Sequence, residues 1–146
     1  MSDFIPQAFF IRNAWTVAAW PAEITGNQPL ARTIMGDDLV LFRTADGTPV
    51  ALEDRCAHRL APLSLGKIEA DGIRCMYHGV KFDHAGVCIE VPAQAPNPQM
   101  CVKHYPLVEQ DGFVWIWMGD STLADPAKIL PAPWHSDHAG ARRRAI

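Results

Sequence analysis

A chain of 146 residues with 49% hydrophobic and 20% charged side chains has the make-up of one ordinary folded domain, with or without a tail. Its formal net charge is −3, and the three arginines of the closing ARRRAI leave the rest more acidic still, which argues against nucleic acid as a general partner. No apolar run reaches the roughly 18 residues of a membrane helix, and MSDFIPQAFFIRNAW has an acid where a secretory signal has its basic patch. The expectation is a cytoplasmic protein without a membrane partner. In that reducing setting Cys56, Cys75, Cys88 and Cys101 are read as metal-binding or buried thiols rather than disulfides.

The pattern along the chain is mostly strand. WTVAAW (15–20) opens it, followed by LARTIM (30–35) and LVLFR (39–43), with GDD between the last two. LVLFR and PVALED flank Asp46-Gly47, a strong hairpin signal. IEADGIRC carries a second Asp-Gly turn. VKFDHAGVCIEV predicts a hairpin turning at Asp83 to Gly86, and HYPLVEQDGFVWIWMG predicts two strands around Asp111-Gly112. VPAQAPNPQM (91–100) is proline-rich and is expected to be an irregular surface loop. After Gly119 the β pattern fades, leaving one helical turn expected near Asp125 to Ile129. Short strands with regular Gly and Pro turns imply an all-β sandwich or small barrel. The organisation expected is one domain over 9–119 and a connector or tail over 120–146.

Chemistry concentrates in two turn-rich loops. Cys56-x-His58 lies in one, and after sixteen further residues Cys75-x-x-His78 lies in the other. Each loop offers one thiol and one imidazole, so two loops meeting tip to tip would supply two of each. A single tetrahedral zinc takes that donor set, but structural zinc sites usually pair like with like, as Cys-x-x-Cys and His-x-x-x-His. A binuclear [2Fe–2S] cluster has two ends, which suits loops that each contribute one ligand of each type.

With these residues the chain resembles the Rieske iron–sulfur signature. The likeness extends through RNAW, VALEDRCAHR, APLSLG, DGIRCMYHGVKFD, AGVC and VWIWMGD, over about residues 9 to 130. Together they are similar to the N-terminal domain of ring-hydroxylating and O-demethylating oxygenases, in particular the vanillate O-demethylase and dicamba monooxygenase group. Thr16 and Ala57 depart from the family, which usually has an aromatic residue and a proline there. The resemblance implies a Rieske-type fold of antiparallel sheets with a two-loop cluster-binding subdomain. It further implies that Cys56 and Cys75 bind the iron that stays ferric, and His58 and His78 the iron that cycles. Arg59 is then a charge beside the cluster, and Tyr77 packs there with its hydroxyl available to brace a loop. Respiratory relatives carry an extra cysteine in each loop. Here Arg59, Leu60 and Ala61 follow the first pair and Met76 lies within the second, and Gly79-Val80 replaces the respiratory Gly-Ser. That implies a low-potential cluster, whose potential should fall with pH above the oxidised-state imidazole pKa.

By the same resemblance, electrons arrive from a reductase or ferredoxin and leave for a mononuclear Fe(II) in a catalytic domain that the 146 residues have no room for; family members are trimers. The expected function is electron transfer as the Rieske part of an oxygenase acting on an aromatic substrate, in a shortened or partial chain. The alternatives are a stand-alone Rieske ferredoxin and a structural zinc domain. His135, Asp137 and His138 of WHSDH are the right types for a mononuclear iron but at the wrong spacing, and read as a polar tail. Cys88 and Cys101 are expected to be buried thiols, His84 a solvated turn residue, His104 structural, and Trp115 and Trp117 part of a core strand.

Overall fold

The computed structural model describes residues 10–132 and 134. The strands are β1 (Trp15–Ala19), β2 (Leu30–Ile34), β3 (Asp37–Arg43), β4 (Pro49–Glu53), β5 (Lys67–Glu69), β6 (Gly72–Arg74), β7 (Lys81–Phe82), β8 (Cys88–Glu90), β9 (His104–Tyr105), β10 (Leu107–Gln110) and β11 (Phe113–Trp117). They form three antiparallel sheets, ordered β1-β11-β10, β2-β3-β4-β9 and β5-β6-β7-β8. The all-β expectation holds.

The sheet containing β3 is the middle layer, and its sequence explains why. Leu39, Val40, Leu41 and Phe42 are all fully buried, although strand side chains alternate between faces. Leu39 and Leu41 join Ala51, Val114 and Ile116 in one core; Val40 and Phe42 join Val50, Leu52, Ile73 and Phe82 in another. A continuous apolar run is what a strand covered on both sides requires. The second core also contains Cys56 and Cys75, so the loops that carry them are rooted in packed side chains.

Local turn chemistry departs from the sequence reading in three places. β3 begins at Asp37, and the β2–β3 turn is Met35-Gly36, both with positive φ (52° and 82°). In IEADGIRC the turn falls on Ala70-Asp71, and Gly72 opens β6. A Cβ on Gly72 would lie 2.0 Å from the Phe82 carbonyl oxygen, so this glycine serves close approach of β7 rather than the turn. Finally, HYPLVEQ is divided at Pro106: β9 pairs with β4 in the middle sheet, whereas β10 pairs with β11. Proline has no N–H for a continuous ladder, and its carbonyl accepts from Trp117 N–H at 3.0 Å.

Residues 92–99 are exposed, as the proline-rich sequence predicts. Beyond Gly119 the chain packs back onto the β1–β11 sheet. Trp15 Nε1 donates to the Asp125 carbonyl (2.8 Å), Ala132 N–H donates to Asp111 (2.7 Å), and Ile129 is buried. A 3₁₀ turn at Pro126–Lys128 starts where a helical turn is expected, with the Asp125 side chain accepting from Ala127 N–H. Among the described residues no helix is long and apolar enough to cross a membrane. His135, Asp137 and His138 lie outside the described residues.

Candidate metal centre

Both loops grow from strand ends on the same core. The first joins β4 to β5 and carries Cys56 and His58; the second joins β6 to β7 and carries Cys75 and His78. Their backbones share one hydrogen-bond frame. In the first, Cys56 N–H donates to the Ala61 carbonyl (2.8 Å) and Leu60 N–H donates to the Cys56 carbonyl (2.8 Å). In the second, Cys75 N–H donates to Val80 (2.8 Å) and Gly79 N–H donates to Cys75 (3.1 Å). In each loop the fourth residue after the cysteine is left-handed: Leu60 at φ 61° and Gly79 at φ 77°.

That frame sorts the donors by burial. Cys56 and Cys75 are each 2% exposed, whereas His58 and His78 stand at the exposed tips. The two imidazoles face each other across the loops, ring centroids 4.9 Å apart and nearly perpendicular at 83°. The thiols are neighbours too. Burial raises the Cys56 pKa, the His58 N–H opposes that shift, and the Cys75 thiol adds to it. Two adjoining buried sulfurs behind two converging imidazoles are the donor set of a cluster with a thiolate end and an imidazole end. The residues present fit a binuclear cluster.

Each loop has its own brace. The Asp54 carboxylate, just ahead of Cys56, accepts from the N–H (2.7 Å) and hydroxyl (2.6 Å) of Ser64, closing the first loop on itself. Leu63, fully buried, anchors the 3₁₀ turn Leu63–Leu65 in the core. Behind the second loop lies an ion cluster. Arg74 donates to both oxygens of Glu69 (2.9 and 3.0 Å), to both oxygens of Glu90 (3.1 Å each) and to the Gly79 carbonyl (2.8 Å). Lys81, 8% exposed, pairs with Asp71 (3.0 Å), Glu69 (3.2 Å) and Glu90 (3.2 Å). Hydrogen bonding to Arg74, opposed by desolvation and aided by Lys81, lowers the Glu69 pKa to about 2.

The other sequence-derived candidates fall as follows. Arg59 is exposed at the first tip and makes no salt bridge among those of the described residues. Tyr77 is 64% exposed, its ring against the adjacent His78 with centroids 3.8 Å apart. Cys88 is buried as expected, but Cys101, which forms an isolated bridge with Val87 outside the named strands, is exposed. His84 is half-buried beside Phe42 rather than solvated, and its Nε2 is buried without a partner in the described structure. Trp117 is a core residue as expected, with Nε1 donating to Asp120. The sequence reading missed Asp54, Arg74, Glu69 and Glu90. The Asp-Gly hairpin signal brought β5 and β6, with Glu69 and Arg74, side by side, but Glu90 joins them only because β7 pairs with both β6 and β8 and sets Lys81 opposite Arg74 and Glu90.

The family model for the Rieske [2Fe–2S] domain matches residues 14–106, and the chain belongs to that family. Its cofactor is accordingly a Rieske [2Fe–2S] cluster. The chain is 48% identical over 127 residues to the toluene-4-sulfonate monooxygenase system iron–sulfur subunit TsaM1 of Comamonas testosteroni, covering 86% of this chain and 37% of that one. It is 46% identical over 122 residues to the oxygenase component of dicamba O-demethylase of Stenotrophomonas maltophilia, covering 82% and 36%. The crystal structure of apo dicamba monooxygenase superposes with a TM-score of 0.84 at 44% identity, over 88% of this chain and 40% of that one. The chain thus spans little more than a third of the length of these curated relatives.

Proposed function

We propose that Cys56, His58, Cys75 and His78 are the four ligands of the cluster, the thiolates at its buried end and the imidazoles at its exposed end, and that the domain transfers single electrons. The observation that carries this reading is the shared loop frame, which repeats one backbone geometry twice and turns one cysteine inward and one histidine outward each time. When bound, the cluster supplies a one-electron couple whose potential depends on ligand charge, hydrogen bonds to sulfur and solvent exposure. The protein's own part is to keep the sulfurs dry and present the ring edges. Exposed Leu60, Met76 and Tyr77 flank His58 and His78, giving the tip an apolar rim suited to contact with a redox partner. Arg59 adds a positive charge at that rim.

In this reading the domain is the electron-transfer part of an oxygenase that hydroxylates or O-demethylates an aromatic substrate. A reductase or ferredoxin loads it. The mononuclear iron belongs to a catalytic domain outside the 146 residues, in an assembly that is a trimer. The relatives support this, being monooxygenase and demethylase oxygenase components by name. The test is an anaerobic iron, sulfide and zinc assay with visible and electron-paramagnetic-resonance spectra. Equal iron and sulfide with a Rieske signal is expected; a colourless, zinc-loaded protein would overturn the ligand assignment. His58→Ala and His78→Ala should each lose the Rieske signal, and an unchanged spectrum in either would remove that residue from the ligand set.

A further inference from the structure

We propose that Arg74 is a positioning residue for the second ligand loop, and that by pinning the Gly79 carbonyl it tunes the reduction potential of the cluster; this rests on the ligand assignment above. Arg74 directly precedes Cys75 and closes the loop from behind. Its Nη1 holds the Gly79 carbonyl at 2.8 Å while Gly79 N–H bonds the Cys75 carbonyl. A trans peptide is planar, so fixing that carbonyl also fixes the Val80 N–H on the opposite edge. Arg74 therefore sets the direction of backbone donors in the loop, and donors directed at sulfur raise a cluster's potential.

The guanidinium is itself held in place. β6 and β7 put Arg74 directly opposite Lys81, a like-charge pair that would repel alone. Glu69 from β5 and Glu90 from β8 each bind both cations, and Asp71 adds a third carboxylate on Lys81. With both carboxylates engaged through two oxygens, Arg74 has one orientation, and its free Nη1 hydrogen points at Gly79. In the first loop the bracing comes instead from the Ser64 N–H and hydroxyl on Asp54. A lysine cannot reproduce this fork, because an ammonium is a point charge with three rotatable donors.

The experiment compares wild type, R74M and R74K for iron and sulfide content, midpoint potential and electron-paramagnetic-resonance g-values. R74M should retain the cluster with a more negative midpoint and altered g-values. R74K keeps the charge, so an effect of charge alone leaves it like wild type; positioning requires that it too shift negative with altered g-values. Wild-type behaviour of R74K beside a shifted R74M overturns the proposal, as does an unchanged R74M. Failure of both variants to fold also overturns it, since the network is then structural only. A wild-type protein without iron and sulfide refutes the ligand assignment itself, a result distinct from any of these.

Discussion

Leu60 and Gly79 occupy the same place in their loops and solve the same backbone problem with different side chains. A left-handed conformation costs a residue with a Cβ about 1–2 kcal/mol, and Leu60 accepts it at φ 61° with its side chain exposed. Leu60→Gly removes that strain but gives the unfolded chain about 0.5–1 kcal/mol of extra freedom. The expected net change in urea-unfolding stability is below about 1 kcal/mol, and the cluster spectrum should persist. Gly79→Ala is not symmetrical with it. Besides φ 77°, an added Cβ would lie 2.9 Å from Pro92 Cγ, so the second loop has a proline lying over it, whereas Leu60 in the first is 64% exposed. Gly79→Ala should lower stability by about 1–3 kcal/mol and reduce iron retention on dialysis; full stability and retention would show that Pro92 yields freely.

At the scale of elements, the four-stranded β5–β8 sheet combines buried Ile73, Phe82 and Cys88 with a network of charges. Its strands are two or three residues long, yet they carry Arg74, Lys81, Glu69 and Glu90 in one network. The Glu69 carboxyl is held at about 2, well below its ordinary 4.5, first by Arg74 and also by Lys81. A depressed carboxylate contributes stability that is complete above its unfolded pKa and is lost as pH falls through the folded one. The support from Glu69 should therefore be intact at neutral pH and disappear between about pH 4.5 and about pH 2. Urea unfolding across that range should show wild type losing more stability than Glu69→Gln; parallel profiles would mean that the pair contributes nothing. Glu90 is lowered in the same direction by Arg74 and Lys81 and adds to the same acid sensitivity.

At the scale of the whole molecule, β3 separates two functions. Leu41 faces the core shared with β1 and β11, and Phe42 faces the core that contains Cys56 and Cys75. Both are fully buried, so truncation should be expensive on either side: about 2–5 kcal/mol for Leu41→Ala and about 3–5 kcal/mol for Phe42→Ala, by urea unfolding. Their effects on the metal centre should differ. Leu41→Ala is expected to leave the midpoint potential unchanged, whereas Phe42→Ala should accelerate loss of iron. Equal iron loss in both would mean that the two cores are not separable supports. By themselves the 146 residues should accept one electron from a reductase and form no hydroxylated product from an aromatic substrate; measurable turnover would overturn the division of labour proposed above.

The sequence by itself determined the spacing of the proposed ligands, the strand-rich character and most hairpins, because these depend on neighbours close in the chain. Asp111-Gly112 turns where its two positive φ values require, and LVLF declares a strand covered on both faces. Only the tertiary structure decided what depends on distant partners. It divided HYPLVEQ between two sheets at Pro106, and it turned Gly72 from a turn residue into a point of close approach to Phe82. It also gathered Glu69, Arg74, Lys81 and Glu90 behind Cys75, and laid Pro92 over Gly79. Those residues come from different strands and loops, so their meeting is set by register and layer packing. The cysteines and histidines could be read as ligands one loop at a time, but what holds the loops in place became visible only when the strands were paired.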